Sequence, residues 1–467
     1  MMAPRWCHVV VVSAAALIAV AAARPYAGGW NDGSRLATVE ALVDHGDWAI
    51  DQSIFVRVPP DGRTRPYAAD DAALNRDGTS DLLWIRGRYY SDKSPMPAAL
   101  LAAEYAAIQR LTGLTASAAP EQFCLALTLG SSGAAFVLAV WSVFRLGEPL
   151  RLPLPWRFAL AGSFALATLA ATYAQHVNNH IFLLATASAL TVELAWLANG
   201  STSPFRCIRI GLLMGLSYAI DLGVGPVLFL ATAAVVTVRL WRRPWSLVLA
   251  ALAATPIPLI HHGLNAQIGG TLGPANAVPT YLAWPGSPFT AQSMTGGWHH
   301  PSVSRFVLYA LDMLVGKRGI LGHNLPLFLA VAAVPAIWRR CRRERPELLH
   351  ALAWTVGAWL LYGATSTNSS GVCCSIRWLV PMIAPGYFIL GLVLRERPDW
   401  RSDFLLLTGW GAIYAGAAAV RGPWRELDPR VHWILVAGAG TCWMMLAWKR
   451  RAGRYAVQTQ RPQSLAA

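Results

Sequence analysis

Hydrophobic residues in this sequence gather into long apolar runs, which alternate with short stretches rich in arginine. A helix needs about 17 to 25 apolar residues to cross a bilayer. Twelve runs reach or approach this length, and we predict a transmembrane helix for each. Two of them are short, and we predict that they form a hairpin turning at Asp221-Leu222-Gly223. The predicted spans are residues 7–23, 123–144, 158–175, 180–198, 207–221, 224–240, 245–262, 323–338, 348–365, 376–394, 402–420 and 431–448.

The first apolar run, residues 7–23, has two interpretations. Arg5 precedes it and Ala21-Ala22-Ala23 ends it, a pattern that also occurs where secretory signal peptides are cleaved. We favour a retained membrane anchor, because proteins with many spans seldom need a cleaved signal.

Basic residues between the runs predict the orientation of the spans, because loops rich in Lys and Arg stay on the cytoplasmic side. Twelve spans place both chain ends and every basic cluster between spans, including 339–345, in the cytoplasm. We therefore expect one integral membrane domain over residues 1–467. It has a first long outer loop at 24–121, a second at 263–322 and a cytoplasmic tail at 449–467. We also expect the two long loops to meet over a cavity at the outer membrane boundary.

The first long loop contains two amphipathic helix patterns. Residues 34–45 place Leu36 and Val39 on one face, and Gly46 is a helix stop signal. Residues 94–112 begin with a serine and a proline, which favour a helix start. Both helices are predicted to lie on the membrane surface.

Composition agrees with this pattern. Hydrophobic residues make up 55% of the 467 residues and charged residues only 13%, whereas soluble domains carry about 25% charged residues. The formal net charge of +15 comes from the short basic clusters, so it reflects membrane orientation, and we predict no nucleic-acid partner. The fold class predicted is an all-α polytopic membrane protein that contacts membrane lipids.

Several short motifs resemble those of the GT-C class of glycosyltransferases, which includes the protein O-mannosyltransferases and the aminoarabinose transferases. The resemblance rests on Asn31-Asp32 early in the first long loop and on the later segment RGRYYSDKSPMPAALLA. The segments VGKRGILGHNLP and GVCCSIRWLVP are similar to those of bacterial members. The resemblance implies transfer of a sugar from a polyprenyl-phosphate donor to an unknown acceptor, on the outer face of the bacterial cytoplasmic membrane.

The same resemblance bears on cofactors. Many relatives have two neighbouring acidic residues in the first motif, whereas Asn31 stands before Asp32 in this chain. No cofactor is assigned; a divalent metal is left open, and no metal ligand is predicted.

Asp32 is the residue that we predict to act as the base, because transfer requires a group that takes the proton of the acceptor hydroxyl. Its alternative role is to cap a helix that starts beside it. For the donor phosphate we predict cationic ligands, Lys93 and Arg377 before Arg86 and Arg88. Lipid headgroups or ion pairing would be the alternative roles for these cations. Further candidates for substrate binding are Trp30, Asn31, Tyr90, Asp92, His299, His300, Lys317 and Arg318.

Two other classes of membrane protein compete with a glycosyltransferase. A transporter or lipid flippase also has many spans, but it usually shows internal repeats and charged residues at mid-membrane, and no clear repeat is found in this sequence. A non-catalytic scaffold would not need the acidic residues that are concentrated in the first long loop.

Overall fold

The computed structural model describes residues 3–60, 65–290 and 296–459, which are mostly helical. The only sheet in these residues is a hairpin of β1 (Leu82–Ile85) and β2 (Arg88–Ser91), which pair antiparallel. Helices α1 to α21 are, in chain order, Arg5–Ala22, Trp30–Glu40, Ala72–Asp77, Pro95–Thr112, Pro120–Leu127, Ala134–Leu146, Leu154–Leu166, Ala170–Tyr173, Asn179–Ala198, Pro204–Ile220, Val224–Leu240, Pro244–Ala254, Pro256–Gly269, Pro279–Leu282, Val303–Val315, Ile320–His323, Pro326–Arg340, Arg345–Thr365, Ile383–Glu396, Arg401–Arg421 and Pro429–Thr459.

The structure has a helix at each of the twelve predicted spans. Eight helical segments among the described residues are long and apolar enough to cross a membrane, and a bent pair would make a ninth. The other four predicted spans coincide with shorter helices, namely α7 with α8, α10, α11 and α17. The predicted class, an all-α polytopic membrane protein, is confirmed.

Ion pairs join several helices at the ends that carry the basic clusters. Glu193 of α9 accepts from Arg206 and Arg209 of α10, at 2.8 Å and 3.0 Å. In the same way, Glu347 of α18 pairs with Arg239 of α11 at 2.6 Å. A buried carboxylate is costly unless it is paired, so these contacts let acidic side chains occupy the edge of the apolar core.

A smaller second core lies beside the large core of the spans. It is built from α2, α4, α5 and the segments between them, with Tyr105 and Phe123 packed edge to face at 4.7 Å. Helix α4 matches the prediction closely, since it covers Pro95–Thr112 and Gly113 adopts a left-handed conformation at its end. This layer covers one end of the helix bundle and positions the candidate site.

Helix α2 differs from its predicted form in two respects. It begins at Trp30 rather than at residue 34, and its last turn widens into a π-turn at Ala41–His45. Every residue from Asn31 to Glu40 is buried, so the helix does not expose a polar face to water. The polar side chains are tolerated inside because they bond to one another and to loops; Glu40, for example, accepts from Ser53 at 2.5 Å.

Candidate active site

A polar cavity of about 420 Å³ opens between the second core and the ends of the spans. Residues from both long loops line it, together with the start of the 3₁₀ helix Arg377–Met382 and the turn between α10 and α11. The predicted meeting of the two loops over one cavity is therefore found. The polar side chains of its lining are Asn31, Arg35, Asp81, Asp92, Lys93, Ser94, Asn179, His180, Asp221, Asn276, Tyr362, Thr365, Asn368 and Arg377.

Two arginines in this lining have no acidic partner within the described part of the chain. Arg35 is 1% exposed, and its guanidinium donates only to amide and carbonyl oxygens, those of Asn31 at 3.3 and 3.5 Å and of Asn179 at 3.2 Å. The Nε of Arg377 also has no partner there, and its guanidinium lies 5.8 Å from the ring centre of Trp424. Arg35 is buried and Arg377 half-buried, so this arrangement presents to one cavity two guanidinium groups that form no ion pair among the described residues.

Burial weakens the basicity of Arg35. Desolvation lowers its pKa to about 10, Asp92 and Asp32 act in the opposite direction, and the nearby Arg377 adds to the lowering. The side chain therefore still carries its charge at neutral pH. Both guanidinium groups line the same cavity.

Lys93 faces the same cavity but is already neutralised. Its ammonium group lies 2.5 Å from Asp81 Oδ2 and 2.9 Å from Asp92 Oδ2. The other oxygen of Asp92 is buried and has no hydrogen-bond partner within the described residues. Burial raises the pKa of Asp92, and the neighbouring Asp81 raises it further, while Lys93 lowers it. Asp92 thus combines a free carboxylate oxygen with a basicity above that of an ordinary aspartate.

Asp221 has a structural role in this wall. Its Oδ1 accepts from the amides of Gly223 and Val224 at 3.1 and 3.0 Å, which fixes the predicted hairpin turn before α11. Its Oδ2 accepts from Asn179 at 2.7 Å. With these bonds made, the carboxylate holds the turn and orients the amide that contacts Arg35.

Asp32, the predicted base, is not part of the cavity lining. It is fully buried in the first turn of α2, where its Oδ2 accepts from the amide of Gly28 at 2.6 Å and lies 3.5 Å from His176 Nδ1. Its Oδ1 has no partner among the described residues. Desolvation raises the pKa of Asp32 to about 7. Its contacts are those of a residue that secures a helix start, although Gly29 and not Asp32 is at the N-cap position.

Of the other predicted site residues, Asn31, Asp92, Lys93 and Arg377 line the cavity, and the rest do not. Trp30 lies close by, 6.3 Å from the ring of Phe289 in the lining. Three of the remaining candidates form ion pairs away from the cavity: Arg88 with Asp47 and Asp51, and both Lys317 and Arg318 with Glu426. His300 bonds to the carbonyl of Gly363. Arg86 and Tyr90 belong to the β-hairpin, and His299 to the second long loop.

Sequence reasoning missed Arg35 and Asp81. Arg35 follows Asn31 by four residues, one helical turn, so both side chains share a face of α2. That spacing was visible in the sequence once the helix was extended back to Trp30. Asp81 carries no such signal, because only the fold brings it to Lys93.

Metal binding has little support from this donor set. No group of three His, Cys, Asp or Glu side chains in the described ranges comes together as metal ligands would. The two carboxylates nearest each other, Asp81 and Asp92, share the ammonium of Lys93. The residues present therefore do not fit a divalent cation, and no reaction step is assigned to one.

Comparison with solved structures finds proteins with a similar fold. The chain is similar to the crystal structure of ArnT from Cupriavidus metallidurans bound to undecaprenyl phosphate. The TM-score is 0.51 and the identity 15%, over 95% of this chain and 73% of ArnT. At this identity the likeness concerns the fold.

A weaker likeness is to the oligosaccharyltransferase of Archaeoglobus fulgidus, crystallised with Zn and sulfate. The TM-score is 0.48 and the identity 14%, over 88% of this chain and 53% of that protein. No family model matches the sequence, and no curated protein matches it.

Proposed function

We propose that this protein is a membrane glycosyltransferase that moves a sugar from a polyprenyl-phosphate donor to an acceptor. The observation that carries the proposal is the pair of unpaired arginines, Arg35 and Arg377, in one polar cavity. The resemblance of the fold to ArnT, whose structure holds undecaprenyl phosphate, supports a lipid-linked donor. A transporter has no comparable support, because the sequence shows no clear internal repeat.

The donor phosphate is assigned to the two arginines. Guanidinium groups bind phosphate through paired charge-assisted hydrogen bonds, and both side chains have donors free. As the bond between the anomeric carbon and the phosphate oxygen breaks, negative charge grows on the leaving polyprenyl phosphate. Positive charge placed in advance lowers the energy of that step. Lys93 acts here as the group that holds Asp81 and Asp92 in place.

Asp92 is the base that the geometry favours. Asp92 lines the cavity, one of its carboxylate oxygens has no hydrogen-bond partner among the described residues, and burial raises its pKa, which makes it a stronger base than an ordinary aspartate. In this proposal Asp92 takes the proton of the acceptor hydroxyl while the acceptor oxygen bonds to the anomeric carbon. The role of Asp32 as the base stays a prediction. Asp32 does not line the cavity, so an acceptor hydroxyl would have to pass the lining residues to reach it.

The cellular setting follows from the charge pattern. We propose that the chain is one integral membrane domain in a bacterial cytoplasmic membrane, with both termini inside. The cavity then faces outward, near the depth of the donor phosphate. Its 420 Å³ lies within the range of small-molecule sites.

A binding experiment tests the donor assignment without knowledge of the sugar. The full-length protein in lipid nanodiscs is titrated with undecaprenyl phosphate, and Arg35→Met and Arg377→Met are compared with Arg110→Met, an exposed arginine of α4. We expect both cavity variants to bind at least tenfold more weakly, and the control to bind normally. Normal binding by both cavity variants would refute the phosphate site.

Transfer is tested separately with a panel of undecaprenyl-phosphate sugars and native membranes as the source of acceptor. Release of undecaprenyl phosphate that depends on the protein and on those membranes would support a glycosyltransferase. Carrier binding with no release from any sugar in the panel would contradict the proposed activity for these donors.

A further inference from the structure

Five partly exposed aromatic side chains lie beside the candidate active site, and the proposed chemistry does not use them. They are Trp30, Trp84, Tyr89, Trp284 and Phe289, which together we call the aromatic platform. Trp30 is 40% and Trp84 37% exposed, and the other three are half-buried. Neighbouring large apolar side chains that stay exposed commonly mark a place where a ligand or partner binds.

Three of these rings are held together on the β-hairpin. Trp84 and Tyr89 are directly opposite each other in the strand pairing, with ring centres 4.7 Å apart. Trp284 of the second long loop packs edge to face on Tyr89 at 5.6 Å, and its indole N–H donates to the carbonyl of Leu82 at 3.2 Å. Rings that already contact one another lose little conformational freedom when a ligand binds on them.

The platform adjoins the cavity at two points. Phe289 is one of the lining residues, and it forms an edge-to-face pair with Trp30 at 6.3 Å. Trp30 immediately precedes Asn31, which lines the cavity as well. The three hairpin rings are connected through Leu82, because the residue before it, Asp81, also belongs to the lining. A molecule bound on the platform can therefore extend into the cavity.

The hairpin directs Trp84 away from the spans. Successive side chains of a strand point to opposite faces, and the face opposite to Trp84 carries Leu83 and Ile85. These two side chains are buried in a small cluster with Ala275, against which Ile268 of α13 packs. Helix α13 belongs to a segment that is long and apolar enough to cross a membrane. Trp84 therefore projects from the face that points away from this segment, towards water.

The chemistry of this surface favours a saccharide. Its contact area is aromatic and not cationic, since Arg88, next to Tyr89, pairs with Asp47 and Asp51. A pyranose ring has an apolar face of C–H groups and a rim of hydroxyl groups. The C–H face packs on an aromatic ring, whose π face is negative. The hydroxyl groups stay in water or accept from indole N–H groups.

We propose that the aromatic platform binds a saccharide chain of the glycosyl acceptor, and that Trp30 and Phe289 guide its terminal ring into the cavity. The inference rests on the proposed glycosyl transfer and names a glycan as the acceptor. Rings further along the chain pack on Trp84, Tyr89 and Trp284. A hydroxyl group of the terminal ring reaches the cavity, and the bonds made and broken are those of the proposed transfer.

Saccharide binding tests the platform without any transfer. The full-length protein in nanodiscs is mixed with linear hexasaccharides of glucose, mannose or galactose, and saturation transfer to their C–H protons is measured by NMR; empty nanodiscs give the background. We expect binding of at least one hexasaccharide. Trp84→Ala and Trp284→Ala should each weaken it about tenfold, because each removes an aromatic contact.

Two variants control for a general loss of structure. Trp84→Tyr keeps an aromatic ring and should retain saccharide binding. Trp433→Ala removes another exposed tryptophan, at the start of α21 and outside the cavity lining, and should bind normally. Absence of binding by all three hexasaccharides, or equal binding by Trp84→Ala and the unsubstituted chain, would overturn the proposal.

A spin label tests whether the platform is instead a membrane anchor. A nitroxide is attached at Trp84→Cys and, as a lipid-facing reference, at Leu230→Cys in the middle of α11, where the native side chain is 69% exposed. The native cysteines are buried except for the half-buried Cys442, so the unsubstituted chain gives the background. We expect a water-soluble nickel complex to relax the label at Trp84→Cys more than oxygen does, and the reverse at Leu230→Cys. Oxygen-dominated relaxation at Trp84→Cys would place the platform in lipid and overturn the proposal.

Analysis of the transfer product distinguishes this inference from the proposed function. With a labelled donor and native membranes, the label should enter material that resists protease and that glycoside hydrolases shorten. Trp84→Ala should raise the KM for this acceptor about tenfold, with kcat and undecaprenyl phosphate binding unchanged. Label in protein, or in lipid without a saccharide, would overturn the acceptor class and leave the proposed function intact. Release of the carrier from no donor would instead refute the proposed function, and the acceptor role of the platform with it.

Discussion

Replacing Arg377 by methionine tests whether its charge serves donor binding or the stability of the fold. Within the described residues Arg377 forms no salt bridge, its Nε is unpartnered, and its guanidinium lies 5.8 Å from the ring centre of Trp424. Methionine keeps much of the apolar stem and removes only the guanidinium. The folded protein without donor therefore loses no ion pair, and removal of an unpaired charge should leave its thermal stability unchanged or raise it.

The effect on the donor is the opposite. A hydrogen bond to a charged group is worth about 1.5–3 kcal/mol, and each 1.4 kcal/mol changes affinity about tenfold. We therefore expect Arg377→Met to weaken undecaprenyl phosphate binding by about 10- to 150-fold. The assay is titration of the protein in nanodiscs, with thermal unfolding of the same sample measured in parallel.

Arg318→Met is the matched control for this experiment. Arg318 pairs with Glu426, donates to the carbonyl of Gly371 at 2.9 Å and does not line the cavity. Its loss should lower the unfolding temperature and leave carrier binding unchanged. Normal carrier binding by Arg377→Met would refute the assignment of Arg377 to the donor phosphate. A loss of stability as large as that of Arg318→Met would show that the charge of Arg377 is structural.

Three further predictions concern the carboxylates and the topology. Asp92→Asn should slow transfer by about 10²–10⁴-fold with carrier binding retained; a normal rate, or an equal loss in Asp32→Asn, would show that Asp92 is not the sole base. The pKa of Asp32 is raised from 3.8 to about 7, so the folded protein holds a proton that the unfolded chain loses from about pH 4 upwards. The contribution of Asp32 to stability should therefore fall by about 3 kcal/mol between pH 4 and 7, and Asp32→Asn should remove that part of the pH dependence from denaturation curves; an unchanged pH dependence would contradict the raised pKa of Asp32. Reporter fusions in the loop between α17 and α18, at 341–344, should give a cytoplasmic signal, and an external signal would disprove the twelve-span topology.

The sequence predicted the spans well because their signal is local. A run of apolar residues must form a helix in lipid, since its backbone groups have no other partners there. Even the short hairpin was located, because Asp221 and the glycine after it mark a turn that the structure confirms. The predicted start of α2, residue 34, lies four residues after the observed start at Trp30. The first turn of this helix is polar, so it lacks the apolar spacing from which a helix is recognised.

The candidate site was only partly visible. Lys93 and Arg377 were chosen for their charge near apolar segments, and both line the cavity. Arg377 keeps its charge free, whereas Lys93 is bound by two aspartates. Pairing depends on distances between residues far apart in the chain, so charge alone could not distinguish these two cations.

The sequence by itself determined the membrane class, the helical spans and the motifs that point to a lipid-linked donor, because hydropathy and short motifs act over neighbouring residues. Only the tertiary structure decided which polar residues share a cavity. It placed Arg35 of α2 in the lining of the same cavity as Arg377, which belongs to a segment more than 300 positions away. It also turned Asn31 towards that cavity and Asp32 away from it, because successive residues of a helix point about 100° apart.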